Sequence, residues 1–245
     1  MKNFPVKVNK DGLGIEFAAA TIEKYIQNPA LWFTELATGA LTYDKKDFIL
    51  AGGQLIQGAI KLDLWGEFLH QLNTAREKGK TKAKFYESRN GRINFNELFS
   101  YLDKNDTPDA EVFKTMQAIF LASTKKGAKE KDEILAYELL QVCKKLRSID
   151  LLILLAAFEL YKRQQEGELI NVNSIQGWQV KVSEMIELPI DFVVQSRIQF
   201  SGNERANSPF LYAVDNTTGP MPNMGLNALS IALGSFITSG NEVIK

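Results

Sequence analysis

One histidine and one cysteine supply all the imidazole and thiol chemistry of this chain. His70 stands between Leu69 and Leu72 in a helical pattern, with Glu67 three positions earlier. That spacing is a pairing on one helix face more often than a catalytic dyad. A Ser-His-Asp triad, a histidine metal cluster or a histidine pH switch would each need partners that the sequence does not supply. Cys143 lies beside Val142 and Leu146, with no histidine near it in sequence to draw off its proton, so a buried or half-buried thiol is expected rather than a nucleophile. A single cysteine also excludes an internal disulfide framework and fits a reducing cytoplasm. The acid-rich stretch Asp103 to Asp109 has the look of a calcium loop, but its sixth position is Pro108 and its twelfth Lys114. A helix–loop–helix calcium site needs glycine and a bidentate glutamate there, and helix capping explains these acids better. Gly52-Gly53 lacks the strand, lysine and hydroxyl of a phosphate loop. The remaining acids show no spacing that singles out a glycosidase pair. No catalytic residue, metal ligand or cofactor is assigned, and a non-enzymatic protein is expected.

Charge offers one alternative. The chain carries 29 basic and 29 acidic residues, a formal balance of zero. Residues 147–245 hold 7 Lys/Arg and 10 Asp/Glu, so residues 1–146 carry 22 and 19. The excess is concentrated in Arg76 to Arg92, where Arg76, Lys78, Lys80, Lys82, Lys84, Arg89 and Arg92 face only Glu77 and Glu87. With Phe85 and Tyr86 inside it, this loop has the ingredients for phosphate contact and base stacking. Lys80, Lys82, Lys84, Tyr86, Arg89 and Arg92 are therefore the candidate nucleic-acid-binding residues. A solvated lysine-rich loop is the commoner outcome for such a run.

The elements that must position these residues read as mainly α. Residues 1–14 suggest an extended arm with Pro5 and Gly12 as breakers. Met1 to Asp11 has no apolar core ahead of a small-residue cleavage site, so no secretory signal is expected. A helical pattern opens at Ile15 and continues through Phe17, Ala20, Ile22 and Ile26. Pro29 then starts a helix with Leu31, Trp32, Leu36 and Leu41. A long helix follows from about Phe48 to Glu77, with Ile49, Leu50, Leu55, Ile56, Ile60, Leu64, Phe68, Leu69 and Leu72 on one stripe. Gly52, Gly53, Gly58 and Gly66 interrupt it at about 1 kcal/mol each, which points to close helix packing. Gln54, Gln57, Lys61 and Asp63 break the run short of the roughly 18 uncharged residues of a membrane crossing, so membrane contact is not expected. Asn94 with Glu97 suggests a cap for a helix over Ile93 to Leu102. Asp109 is expected to cap Val112 to Leu121, and Lys125 to Lys131 to form a hinge or exposed turn. Ile134 to Leu146 and Leu151 to Tyr161 are two further helices, with Ser148 or Asp150 capping the second. No period-two strand is evident before residue 200.

From Ser148 onward the order of elements changes character. The apolar helix from Leu151 is followed by a second carrying Trp178, Val182, Met185 and Ile186. A third opens at Pro189 with Ile190, Phe192, Val193 and Ile198. A turn-rich stretch follows in which Phe210 to Val214 suits one short strand, and a closing helix runs from Leu226 to Ile237. Ser148 to Ser239 resembles winged-helix modules in helix order, turn placement and its Leu226-Asn227-Ala228-Leu229-Ser230-Ile231-Ala232-Leu233-Gly234 ending. The whole chain, helical in front and wing-like behind, is similar in layout to bacterial helical proteins of the abortive-infection family Abi-alpha. The resemblance implies two domains, a helical bundle over 1–146 and a winged-helix-like domain over 147–245 with at most a short β-wing. It transfers no functional residues. In a winged helix the third helix reads DNA, but Arg197 is the sole cation between Pro189 and Gln199 and Asp191 offsets it. A protein-docking or regulatory role is therefore expected first. Nucleic-acid regulation through the basic loop comes second, and a phage-defence or stress effector acting at membranes through the glycine-bearing helix comes third.

Overall fold

Helices with buried apolar faces dominate the computed structural model, which describes residues 6–8, 15–17, 59–82, 85, 88–105, 107–168, 170, 175–196, 199–200, 211–215 and 223–244. The protein is mainly α: the described residues form eight helices and five strands of two to five residues. The rest of the helical pattern through Ala20, Ile22 and Ile26, the helix expected from Pro29 to Leu41, the first part of the long helix from Phe48, and Gly52, Gly53 and Gly58 lie outside the described residues. The chain divides into two compact units, Met1–Lys145 with Phe236–Lys245, and Leu146–Ser235.

In the first unit, β1 (Val6–Val8) pairs antiparallel with β2 (Ile15–Phe17), in the register Val6↔Phe17, Lys7↔Glu16 and Val8↔Ile15. The helical pattern expected from Ile15 is corrected here. Strands of three residues are too short for alternation to be visible in sequence. Four helices follow: α1 (Ala59–Glu77), α2 (Arg89–Lys104), α3 (Ala110–Thr124) and α4 (Glu130–Cys143). The stripe expected on α1 is buried at Leu64, Phe68, Leu69 and Leu72, with Trp65 beside it. From Val112 to Thr124 every residue of α3 except Lys114 is buried, so α3 is the central helix of the unit, as an all-round apolar pattern requires. Its polar side chains find partners inside: Gln117 Nε2 donates to the Leu64 carbonyl at 3.2 Å, and Ser123 Oγ and Thr124 Oγ1 donate to the Phe120 and Leu121 carbonyls. Trp65 meets Phe95 and Phe99 edge-on at 5.4 and 5.5 Å, and Phe120 meets Phe68 and Phe85 in the same way. Such pairs add about 0.5–1.5 kcal/mol each beyond their burial.

The caps explain where these helices start. Asp109 accepts hydrogen bonds from Glu111 N (3.0 Å) and Val112 N (3.3 Å), as its position suggests. Asn94 is not a cap. It lies buried in the second turn of α2, donating Nδ2 to the Glu133 carbonyl at 2.8 Å. The cap of α2 is Ser88, whose Oγ accepts from Gly91 N at 2.9 Å.

The second unit contains α5 (Ser148–Gln165), α6 (Ile175–Ile186), α7 (Ile190–Val194), β3 (Gln199–Phe200), β4 (Leu211–Asp215), β5 (Asn223–Leu226) and the start of α8 (Ala228–Ile244). Asp150 accepts from Arg147 N at 3.0 Å while the Arg147 guanidinium grips its two oxygens at 3.0 and 3.1 Å, fixing the start of α5. Leu151, Ile153, Leu154, Ala157, Phe158 and Leu160 bury one face of α5, and Trp178, Val182, Val193, Leu226 and Leu233 are buried as well. A strand does run where one was expected after residue 210. β4 pairs parallel with β3 and antiparallel with β5, from Tyr212↔Leu226 to Asp215↔Asn223. Gly234 is required where it stands, because a Cβ there would overlap the Phe158 ring.

The third helix of this unit is shorter than its pattern suggests. α7 has five residues, and Ser196 Oγ closes it on the Val193 carbonyl at 2.8 Å. Only Val193 of its apolar set is buried, and Phe192 stands exposed. Ile198 lies outside the described residues.

Candidate functional site

The candidate basic loop begins at the C-terminus of α1 and is held by its backbone. Lys80 N donates to the Ala75 carbonyl at 2.9 Å, Lys82 N to the Thr124 carbonyl at 2.7 Å, and Lys126 N to the Lys80 carbonyl at 2.7 Å. Thr81 bridges Lys125 in antiparallel fashion. The stretch expected to be a free loop is therefore fastened, through its first half, to the turn between α3 and α4.

The six candidate residues have different fates. Lys82 is committed internally: its Nζ lies 2.8 Å from Oε1 of the buried Glu133. Lys80 Nζ reaches the Glu242 carbonyl in the last turn of α8 at 3.3 Å, placing a cation at the negative end of that helix. Lys84 and Tyr86 lie outside the described residues. Arg89 and Arg92 are exposed in the first turn of α2, where the helix has no acidic residue. Phe85 is corrected from a stacking platform to a core residue: it is buried against Phe120 and unavailable to a base.

Glu133 ties this region together and was not singled out from sequence. Its Oε1 takes Lys82, its Oε2 accepts from Ser88 Oγ at 2.9 Å, and its main-chain carbonyl accepts from Asn94. One buried glutamate on α4 thus holds the basic segment and the cap of α2 through its carboxylate, and the middle of α2 through its main-chain carbonyl. No local signal marks it, because its partners lie 39 to 51 residues away.

Cys143 is buried, with Sγ 3.8 Å from the Val112 carbonyl. Burial first, and the Asp109 carboxylate second, push its thiol far above the ordinary range, which is the opposite of an activated nucleophile. His70 is exposed on α1, and Glu67 accepts from Gln71 Nε2 at 3.1 Å. Among the described residues, no group of three or more His, Cys, Asp or Glu is placed to hold a metal ion, and no helix is long and apolar enough to cross a membrane.

The second unit presents a different surface. Around the Pro189 turn joining α6 and α7, Met185 is 39%, Phe192 53% and Val194 57% exposed. Glu184, Glu187 and Asp191 are exposed in the same two helices and turn, and Glu187 holds a positive φ of 54°. Lys181 Nζ lies 2.7 Å from Glu184 Oε2 on α6, so the acidic excess of this corner rests on Glu187 and Asp191.

No family model matches the chain, and neither a curated protein nor a solved structure is significantly similar to it.

Proposed function

We propose that the chain is a non-enzymatic protein-interaction or regulatory module, with a winged-helix-like second unit that docks protein through the α6–α7 corner. The observation that carries this reading is the exposure of Met185, Phe192 and Val194 beside helices that bury Trp178, Val182 and Val193. Large apolar side chains gathered on a surface and rimmed by polar residues mark interaction sites. Glu187 and Asp191 make the rim acidic, Glu184 being paired with Lys181, which favours a partner with an apolar centre and basic flanks. The same acids repel the phosphates that a winged helix would otherwise meet in the major groove.

The test is a double substitution, Phe192→Ser with Val194→Ser, in the full chain. Both side chains are exposed, so the unfolding midpoint should stay within a degree or two. Proteins retained by the immobilised wild-type chain should be lost from the variant. Retention that is unchanged by the substitution removes the corner as the docking face. A reproducible turnover that disappears on mutating one carboxylate overturns the non-enzymatic reading.

A further inference from the structure

Two stretches that look unrelated along the chain, the end of α1 with the following turn (Arg76–Lys82) and the α3–α4 turn with the first two residues of α4 (Lys125–Lys131), are laced side by side by the Lys82–Thr124 and Lys126–Lys80 backbone hydrogen bonds. Together these fourteen residues carry Arg76, Lys78, Lys80, Lys82, Lys125, Lys126, Lys129 and Lys131 against Glu77 and Glu130. Eight cations less two acids is +6 along these two stretches, and +3 once the three acids bound to them, Glu133, Glu242 and Asp132, are counted, in a chain whose net charge is zero.

Part of this charge is used by the fold. Lys82 pairs with Glu133. Lys125 lies 3.6 Å from Glu242 and donates to Ser239 Oγ at 3.3 Å, and Lys80 caps the end of α8. Lys126, Lys129 and Lys131 are exposed, and their ammonium groups have no partner among the described residues. The backbone beneath them is set: Ala128 N donates to the Lys125 carbonyl at 2.9 Å, Gly127 takes a φ of 91°, and Lys129 N is bound by Asp132 at 2.7 Å. Like charges on adjoining turns repel, and a polyanion relieves the repulsion while shedding the cations condensed on its own phosphates.

We infer that the paired turns form a binding site for the phosphate backbone of nucleic acid, with Lys126, Lys129 and Lys131 as the contacting groups. The chemistry is sequence-independent. The fourteen residues include no aromatic ring to stack on a base, while the exposed Ile134 stands one turn beyond Lys131, so lipid vesicles are the control surface. Lysine ammonium groups meet phosphates as point charges and carry no base code, so recognition stops at phosphate.

The experiment is fluorescence anisotropy of labelled single-stranded and duplex DNA with the full chain, titrated across about 50 to 200 mM salt. Affinity should fall steeply with salt. The triple variant Lys126→Gln, Lys129→Gln, Lys131→Gln should reduce the log–log salt slope by about 2 to 3, since each phosphate contact contributes about 0.7–0.9. All three positions are exposed, and an unchanged thermal melt will show that the fold survives. The pair Arg89→Gln, Arg92→Gln should leave the slope as it was. Four results overturn the site: no binding at the lowest salt, a slope indifferent to the triple variant, a slope lost instead with the arginine pair, or binding only to vesicles rich in anionic lipid. Because the α6–α7 corner is untouched by these substitutions, protein capture by the triple variant reads the proposed docking role separately.

Discussion

Cys143 shows what burial does to a reactive group. In water its thiol would ionise near pH 8.5. In the fold, desolvation and the Asp109 charge hold the proton on. The sign of the consequence follows from proton linkage: above about pH 8.5 the unfolded chain releases a proton that the folded chain keeps, so stability falls as pH rises. The unfolding free energy should decline by up to about 1.4 kcal/mol per pH unit above that value from this group alone. Cys143→Ala should remove that part of the slope in urea titrations between pH 8 and 10, whatever it does to stability at pH 7. An identical slope in the variant would mean that the thiol is not isolated from solvent. A thiol-specific reagent should likewise leave the folded protein unmodified at neutral pH. Glu133 is the contrasting case: a buried carboxylate made tolerable by Lys82 and Ser88. The thiol's burial was legible from its apolar neighbours. The carboxylate's role was not, because a charged residue at the start of a helix looks solvated until its distant partners are known.

At the scale of elements, sequence patterns are reliable where burial is one-sided and local, and they mislead where packing or capping is settled elsewhere. The α1 stripe and the Asp109 cap follow from spacing alone. Asn94 with Glu97 mimics a capping box, yet Ser88 already supplies the cap six residues earlier, and the helix runs through Asn94 because Glu133 accepts its amide. The α7 pattern suggested a longer helix, but Ser196 closes it after five residues. The pairing of Lys80 with Lys126 is non-local and invisible to any window, and it turned a supposed free loop and a supposed hinge into one surface. The end of α8 is a further instance. Gly240 lets its backbone lie directly on α3, and a Cβ there would overlap the Ala118 carbonyl. Gly240→Ala gains up to about 1 kcal/mol in helix propensity, but a main-chain carbonyl cannot swing aside as a side chain does. Overpacking should therefore win, lowering the unfolding free energy by about 2 kcal/mol. Chemical denaturation will show it. A variant as stable as the wild type would mean that the last turns of α8 do not rest on α3.

For the whole molecule, the distribution of charge matters more than its total. Twenty-nine cations balance 29 acids, giving a sequence pI of about 6.6. Residues 147–245 nevertheless carry −3, and the paired turns concentrate +6 in fourteen residues. A molecule with no net charge lacks the long-range repulsion that keeps copies apart, and its oppositely charged surfaces can then find one another between molecules. Solubility at low ionic strength should accordingly pass through a minimum close to pH 6.6. Below that pH the net charge becomes positive and above it negative, so solubility should recover on both sides. Added salt, with a Debye length of about 10 Å at 0.1 M, should also raise solubility at the minimum, because attraction between opposite patches is screened while there is no net repulsion to lose. Static light scattering against pH and salt measures both. If salt lowered solubility at the minimum, apolar contact would be the dominant attraction, with the Met185, Phe192 and Val194 corner competing with the exposed Ile134 and Leu152 as its source. Reversal of the salt response by the double substitution at Phe192 and Val194 would assign the attraction to the corner, and an unchanged response would assign it to Ile134 or Leu152.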